Sequence, residues 1–132
     1  MSREPQHYVS TVLRVPPDIP LAIMDGAIGA LLIMGGNARA NGPSFMTARG
    51  LAPIQAWGCA FIALSLVLAL ALVLPQRHGL ASAVRIFGPS LCVMWACMYL
   101  LSGLANHSAS FIGVPPYLYL AYRHSFAPAR PA

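Results

Sequence analysis

Between Ile54 and Leu74 the chain reads IQAWGCAFIALSLVLALALVL without a single charged residue. At 1.5 Å rise per residue, about twenty residues cross a bilayer core roughly 30 Å thick. In hydrocarbon a backbone must satisfy its own hydrogen bonds, so such a segment has to be a helix. The rest of the chain agrees. Only 8% of its 132 residues are charged and 58% are hydrophobic. Soluble domains carry about 25% charged residues. An all-α integral membrane protein is expected, folded as one helical bundle.

Breakers divide the chain. Residues 1–18 form a polar, proline-bearing tail, expected on the cytoplasmic side. They hold Arg3, Glu4, Arg14 and Asp18 and have no apolar core of the kind a cleavable signal peptide needs. A bundle over 19–124 follows. The first helix should start at Ile19, with Asp18 as cap and Pro20 in the first turn. It should stop near Met34, before Gly35-Gly36-Asn37. In the long connection from Gly36 to Gly50, Ser44 after Pro43 can open one helical turn that carries Phe45 and Met46 onto the membrane surface. The second helix runs from Pro53 to Leu74, ended by Pro75. The third covers Ser82 to Leu104, with a kink expected at Gly88-Pro89. The fourth is short and holds Pro115-Pro116. Either it spans from Ser108 to Arg123, kinked at the prolines, or it enters only half the membrane. Aromatic and basic residues at its far end favour the span. Residues 125–132 are expected to be a disordered cytoplasmic tail.

All eight basic residues are arginine, and the formal net charge is +5. With four spans, Arg3, Arg14, Arg77, Arg85, Arg123 and Arg130 share one side, and Arg39 and Arg49 the other. The positive-inside rule then puts both termini in the cytoplasm of a bacterial cell. Charge spread in this way suits a lipid bilayer and not nucleic acid. Trp57, Tyr119, Tyr122 and Arg123 fall where interface anchors are expected.

Asp25 stands out in LAIMDGAIGALL. A carboxylate in hydrocarbon needs a partner or water. One reading is proton or cation handling. The preferred one is an ion pair with Arg85 at the start of the third helix. Gly26 and Gly29 give a small-residue face beside Asp25, suited to close packing within the bundle or to self-association as a homo-oligomer. Cys59, Cys92 and Cys97 form no C-x-x-C pair and read as buried small hydrophobes. His78, His107 and His124 have neither ligand spacing nor a neighbouring acid, so no metal site is expected. Trp95 and Tyr99, one turn apart, suit the bundle core or the lipid face. No catalytic motif, phosphate loop or paired carboxylate occurs, so neither an enzyme nor a bound cofactor is expected.

Two stretches, PSFMTARGLAPIQAWG and NHSASFIGVPPYLYLAYRH, carry a resemblance. Pro43, Ser44 and Phe45 precede a helix that starts near Trp57 and Gly58. A last helix passes Gly113 and Pro115 and ends near Tyr119 and His124. In these features the chain resembles small, functionally uncharacterised four-helix membrane proteins of actinobacteria and their phages. Pro116 beside Pro115 departs from that pattern. Some phage members resemble products of the lysis region. The resemblance therefore implies a holin-like or lysis-accessory membrane protein of the host inner membrane. Asp25 alone suggests an alternative, a subunit of a proton-coupled small-solute transporter. A structural subunit of a membrane complex is a third class.

Overall fold

The computed structural model describes residues 18–74 and 78–127. Among them the chain is helical, without strands. Helix α1 spans Asp18–Arg39, a 3-10 turn Pro43–Phe45, α2 Met46–Leu51, α3 Ile54–Val73, α4 His78–Ala105 and α5 Val114–Phe126. Three of these, α1, α3 and α4, are long and apolar enough to cross a membrane.

The long helices follow the breakers with instructive exceptions. Gly36 interrupts α1 with φ 48° and ψ −155°, a backbone that L residues rarely adopt. The chain then closes one more turn through the amide of Ala40 and the carbonyl of Gly36. Helix α4 starts by His78, ahead of the expected Ser82, and runs on through Pro89. Beside that proline the Ser90 hydroxyl donates to the Ile86 carbonyl, 2.7 Å away.

Helix α5 departs most from expectation. It does not begin at Ser108 and does not enclose the proline pair as a kink. It begins at Val114, so Pro115 and Pro116 fall in the first turn. Amides there have no helical partner, and two residues lacking N–H are harmless. The helix continues past Arg123 to Phe126, and Ala127 is buried. The part of the expected 125–132 tail that is described is therefore ordered; positions 128–132 lie outside the described residues, as do residues 1–17. Thirteen residues give α5 a length of about 20 Å, short of the roughly 30 Å that a span requires.

The helices form two antiparallel pairs, α1 with α3 and α4 with α5, joined by a thinner α3–α4 contact. In the first pair Gly29 lies against Gly58. A Cβ on Gly29 would sit 2.7 Å from the Gly58 carbonyl oxygen, and one on Gly58 would sit 2.8 Å from that of Gly29. Small residues here let two backbones touch, the packing that suits apolar helices. Ser65 adds a 2.7 Å hydrogen bond to the Ala22 carbonyl.

One end of the bundle, here the proximal end, holds Asp18, Val73, His78 and Phe126. The distal end holds the loops. There Phe45, Trp57, Phe61, Trp95, Tyr99 and Tyr117 form a cluster of rings with neighbouring centroids 5.6–6.2 Å apart. Phe45 thus turns into the bundle and not onto the membrane surface, whereas Met46 is exposed. The Trp57 indole N–H donates to the Ala48 carbonyl at 3.1 Å and fixes α2 on α3. Buried Ser102 on α4 accepts from the Thr47 amide and donates to the Thr47 hydroxyl. That contact satisfies an orphan amide at the start of α2.

Candidate functional site

Between the ring cluster and the proximal end lies the most unusual chemistry among the described residues. Asp25 on α1 and His124 on α5 are both 0% exposed, and His124 Nε2 is 2.8 Å from Asp25 Oδ2. They are 99 residues apart in sequence. The other imidazole nitrogen, Nδ1, lies 2.8 Å from the Leu120 carbonyl oxygen and 4.0 Å from Cys92 Sγ on α4. A carbonyl oxygen only accepts, so Nδ1 carries a proton and donates it to Leu120. The second carboxylate oxygen, Asp25 Oδ1, is buried without a hydrogen-bond partner.

Each element is shaped for this contact. On α5 the spacing Tyr117, Leu120, Ala121, His124 puts four residues on one helical face, and the last three are buried. On α4, Gly88 removes the Cβ that would stand 2.5 Å from His124 Cδ2. Any other residue at 88 would push the ring out of line with Asp25. On α1, Asp25 sits two turns above the first residue, level with the end of the shorter α5.

Arg85 is not the partner of Asp25. Its Nε donates to the carbonyl of Ala127 at 3.2 Å, just past the end of α5. The reason is geometric. Since α5 begins at Val114 and not at Ser108, its last turn carries His124 down to the depth of Asp25. The guanidinium meets instead the free carbonyls at the helix C-terminus, which favour a cation.

The remaining sequence candidates are placed as follows. Gly29 is enclosed in the α1–α3 contact, and Gly26 faces the Ser65 hydroxyl there. Trp57 is half-buried in the distal ring cluster. Tyr119 and Tyr122 are exposed on α5, with Arg123 half-exposed beside them. Trp95 is a core residue at the centre of the cluster. Cys92 is buried, whereas Cys59 and Cys97 are exposed, against the expectation that all three are buried. Among the described residues no group of three or more histidines, cysteines and acids could hold a metal ion.

His124 is the residue that sequence reasoning misses, because no acid stands near it along the chain. The usable signal is the i, i+4 spacing from Leu120, visible only once α5 is extended past Arg123. No family model matches the chain, and neither does any curated protein or solved structure.

Proposed function

We propose that this is a small multi-pass protein of a bacterial inner membrane, with α1, α3 and α4 crossing the bilayer and α5, too short to span by itself, completing a fourth crossing together with residues 106–113 that lead into it. One observation carries the proposal: large apolar side chains cover the outside of the bundle as well as its core. The fully buried side chains include an aspartate and a histidine, while Met34, Val73 and Ile112 are 84%, 75% and 79% exposed. In water such large apolar residues would be driven inward; in lipid they meet their own kind. The arginine distribution supports cytoplasmic termini. A reporter active only in the cytoplasm should work when fused after Ala132 and fail when inserted after Asn41. The opposite pattern would overturn the topology.

The activity that suits this reading best is holin-like or lysis-accessory, in a phage or its actinobacterial host. Its supports are the resemblance carried by Pro43-Ser44-Phe45 and the last helix, the small size, and the close-packing glycines Gly29 and Gly58. Controlled expression should collapse the membrane potential at a defined time and release a co-expressed endolysin. Cells that tolerate strong membrane-localised expression with their potential intact would refute it.

A proton-coupled transporter subunit is the second reading, favoured by the unpartnered Asp25 Oδ1. It expects Asp25→Asn to abolish pH-driven solute flux in liposomes while helix content stays unchanged. Should both assays be silent, a structural subunit of a membrane complex is the reading left.

A further inference from the structure

The two helix pairs are held together differently at their two ends. Distally, six aromatic rings from α3, α4, α5 and the 3-10 turn interlock. Towards the proximal end α3 and α4 leave an apolar groove of about 510 Å³ between Ala60, Ala63, Val67, Ala83, Phe87 and Leu91. There the buried polar link across the bundle, from α1 to α5, is Asp25–His124.

We propose that Asp25–His124 is a proton-controlled latch: with one shared proton it clamps α1 to α5, and loss of that proton lets the proximal halves of the two helix pairs part.

The proton inventory follows from the hydrogen bonds. Nδ1 keeps its proton for the Leu120 carbonyl. One further proton lies between Nε2 and Oδ2, bonded to one or the other. In either position the pair is neutral overall and the 2.8 Å contact is a hydrogen bond. Removing the proton sets two lone pairs against each other and leaves a net negative charge in an apolar site. Adding one leaves a net positive charge. Both states are penalised by burial.

The neighbouring elements offer little relief. Helix α3 contributes no ionisable side chain except exposed Cys59. Helix α4 brings Cys92, 4.0 Å from Nδ1, and Arg85, held at the Ala127 carbonyl. Its Tyr99 stands with Tyr117 of α5 inside the ring cluster. Helix α5 also brings Arg123 beside His124. Helix α1 brings Asp18, two turns below Asp25.

The sign of the pH dependence is fixed by counting. The closed pair holds one proton. Opened to water, an aspartate and a histidine together hold two protons below about pH 4, one between about pH 4 and 6.5, and none above. Above about pH 6.5 the closed form therefore holds one proton more than the open form. Closure weakens as pH rises, about tenfold per pH unit. Below about pH 4 it weakens in the other direction.

Cys92 reports the latch, because it is buried against His124. The full chain carrying Cys59→Ala and Cys97→Ala is labelled with N-ethylmaleimide in detergent micelles between about pH 5 and 8.5, on both sides of the ordinary value of a free imidazole. Each rate is divided by that of the same protein unfolded in SDS at the same pH, which cancels the intrinsic reactivity of the thiol. The normalised rate tracks the open population. It should rise about tenfold per pH unit above neutrality. In Asp25→Asn the amide can donate to a neutral imidazole, so the trend should reverse: protected at the alkaline end and labelled faster at the acid end. A flat wild-type profile, or an Asp25→Asn profile that follows wild type, would overturn the latch. Should Asp25→Asn fail to fold, the wild-type profile decides alone. No lysis assay is involved, so the latch and the holin-like reading stand or fall separately.

Discussion

The distal and proximal halves of this bundle solve the same problem with opposite chemistry. Both must join the α1–α3 pair to the α4–α5 pair. The distal half uses area: Trp95 touches Phe45, Trp57, Phe61, Tyr99 and Tyr117 with its ring. Ring contacts are indifferent to protons and spread over many atoms. The proximal half packs buried Leu21, Leu68, Val84 and Leu120 and adds one buried hydrogen-bonded pair, Asp25–His124, while α3 and α4 leave an apolar groove between them. Such a contact is strong only when complete, because either partner alone is an uncompensated buried polar group. The distal half thus closes on packing alone, and the proximal half adds to its packing a contact that needs a proton to be complete.

The largest blow to that contrast comes from Trp95→Ala. It empties the centre of the ring cluster and should lower stability by about 3–5 kcal/mol. The loss should be the same on the acid and alkaline sides of neutrality, as measured by SDS-driven unfolding in micelles. A pH-dependent loss would mean that the two halves are not separable.

Gly88→Ala and Gly29→Ala come next, each in the range of about 1–3 kcal/mol for overpacking. They should differ in kind. The new Cβ at 88 meets a side chain, His124, so it should unfasten Asp25 and raise labelling of Cys92. The new Cβ at 29 meets the Gly58 backbone, so it should loosen α1 from α3 and leave the latch bonded. Equal labelling in the two variants would erase the distinction.

Ser65→Ala should have the smallest effect. It removes a single hydrogen bond to the Ala22 carbonyl. Interhelical bonds of this kind are worth about 0.6 kcal/mol in membrane proteins. A loss several times larger would show that the α1–α3 pair depends on polar contacts more than on its touching glycines.

How much of this is legible in the sequence varies by residue. The helix from Ile54 to Val73 is legible in its uncharged apolar run, whose length and composition suit a membrane span. Gly36 as a break is legible from its lack of a Cβ, although it kinks α1 and the helix ends only at Arg39, past the expected stop near Met34; Asp25 as an anomaly is legible from the cost of a buried carboxylate. Its partner is not. Arg85 is the obvious cation when charge alone is counted, and nothing local betrays a histidine 99 positions away. What decides is the offset of α5 along α4, set by Gly113 against Tyr99 and Gly88 against His124. Those contacts exist only in three dimensions. The start of α5 is hidden for a related reason. Apolar residues from Ser110 onward look helical, but the proline pair costs least in the first turn, and so the helix waits for it.

The central claim is that Asp25 and His124, not Asp25 and Arg85, join the two helix pairs. A double-mutant cycle tests it most directly, with stability read by SDS-driven unfolding at a mildly acidic pH where the pair is closed. Asp25→Leu and His124→Leu should each destabilise by about 3–5 kcal/mol, and the double variant by far less than their sum, since two apolar side chains leave no orphaned charge. Arg85→Met combined with Asp25→Leu should simply add. Additive losses for Asp25 with His124, or strong coupling of Asp25 to Arg85, would contradict the account.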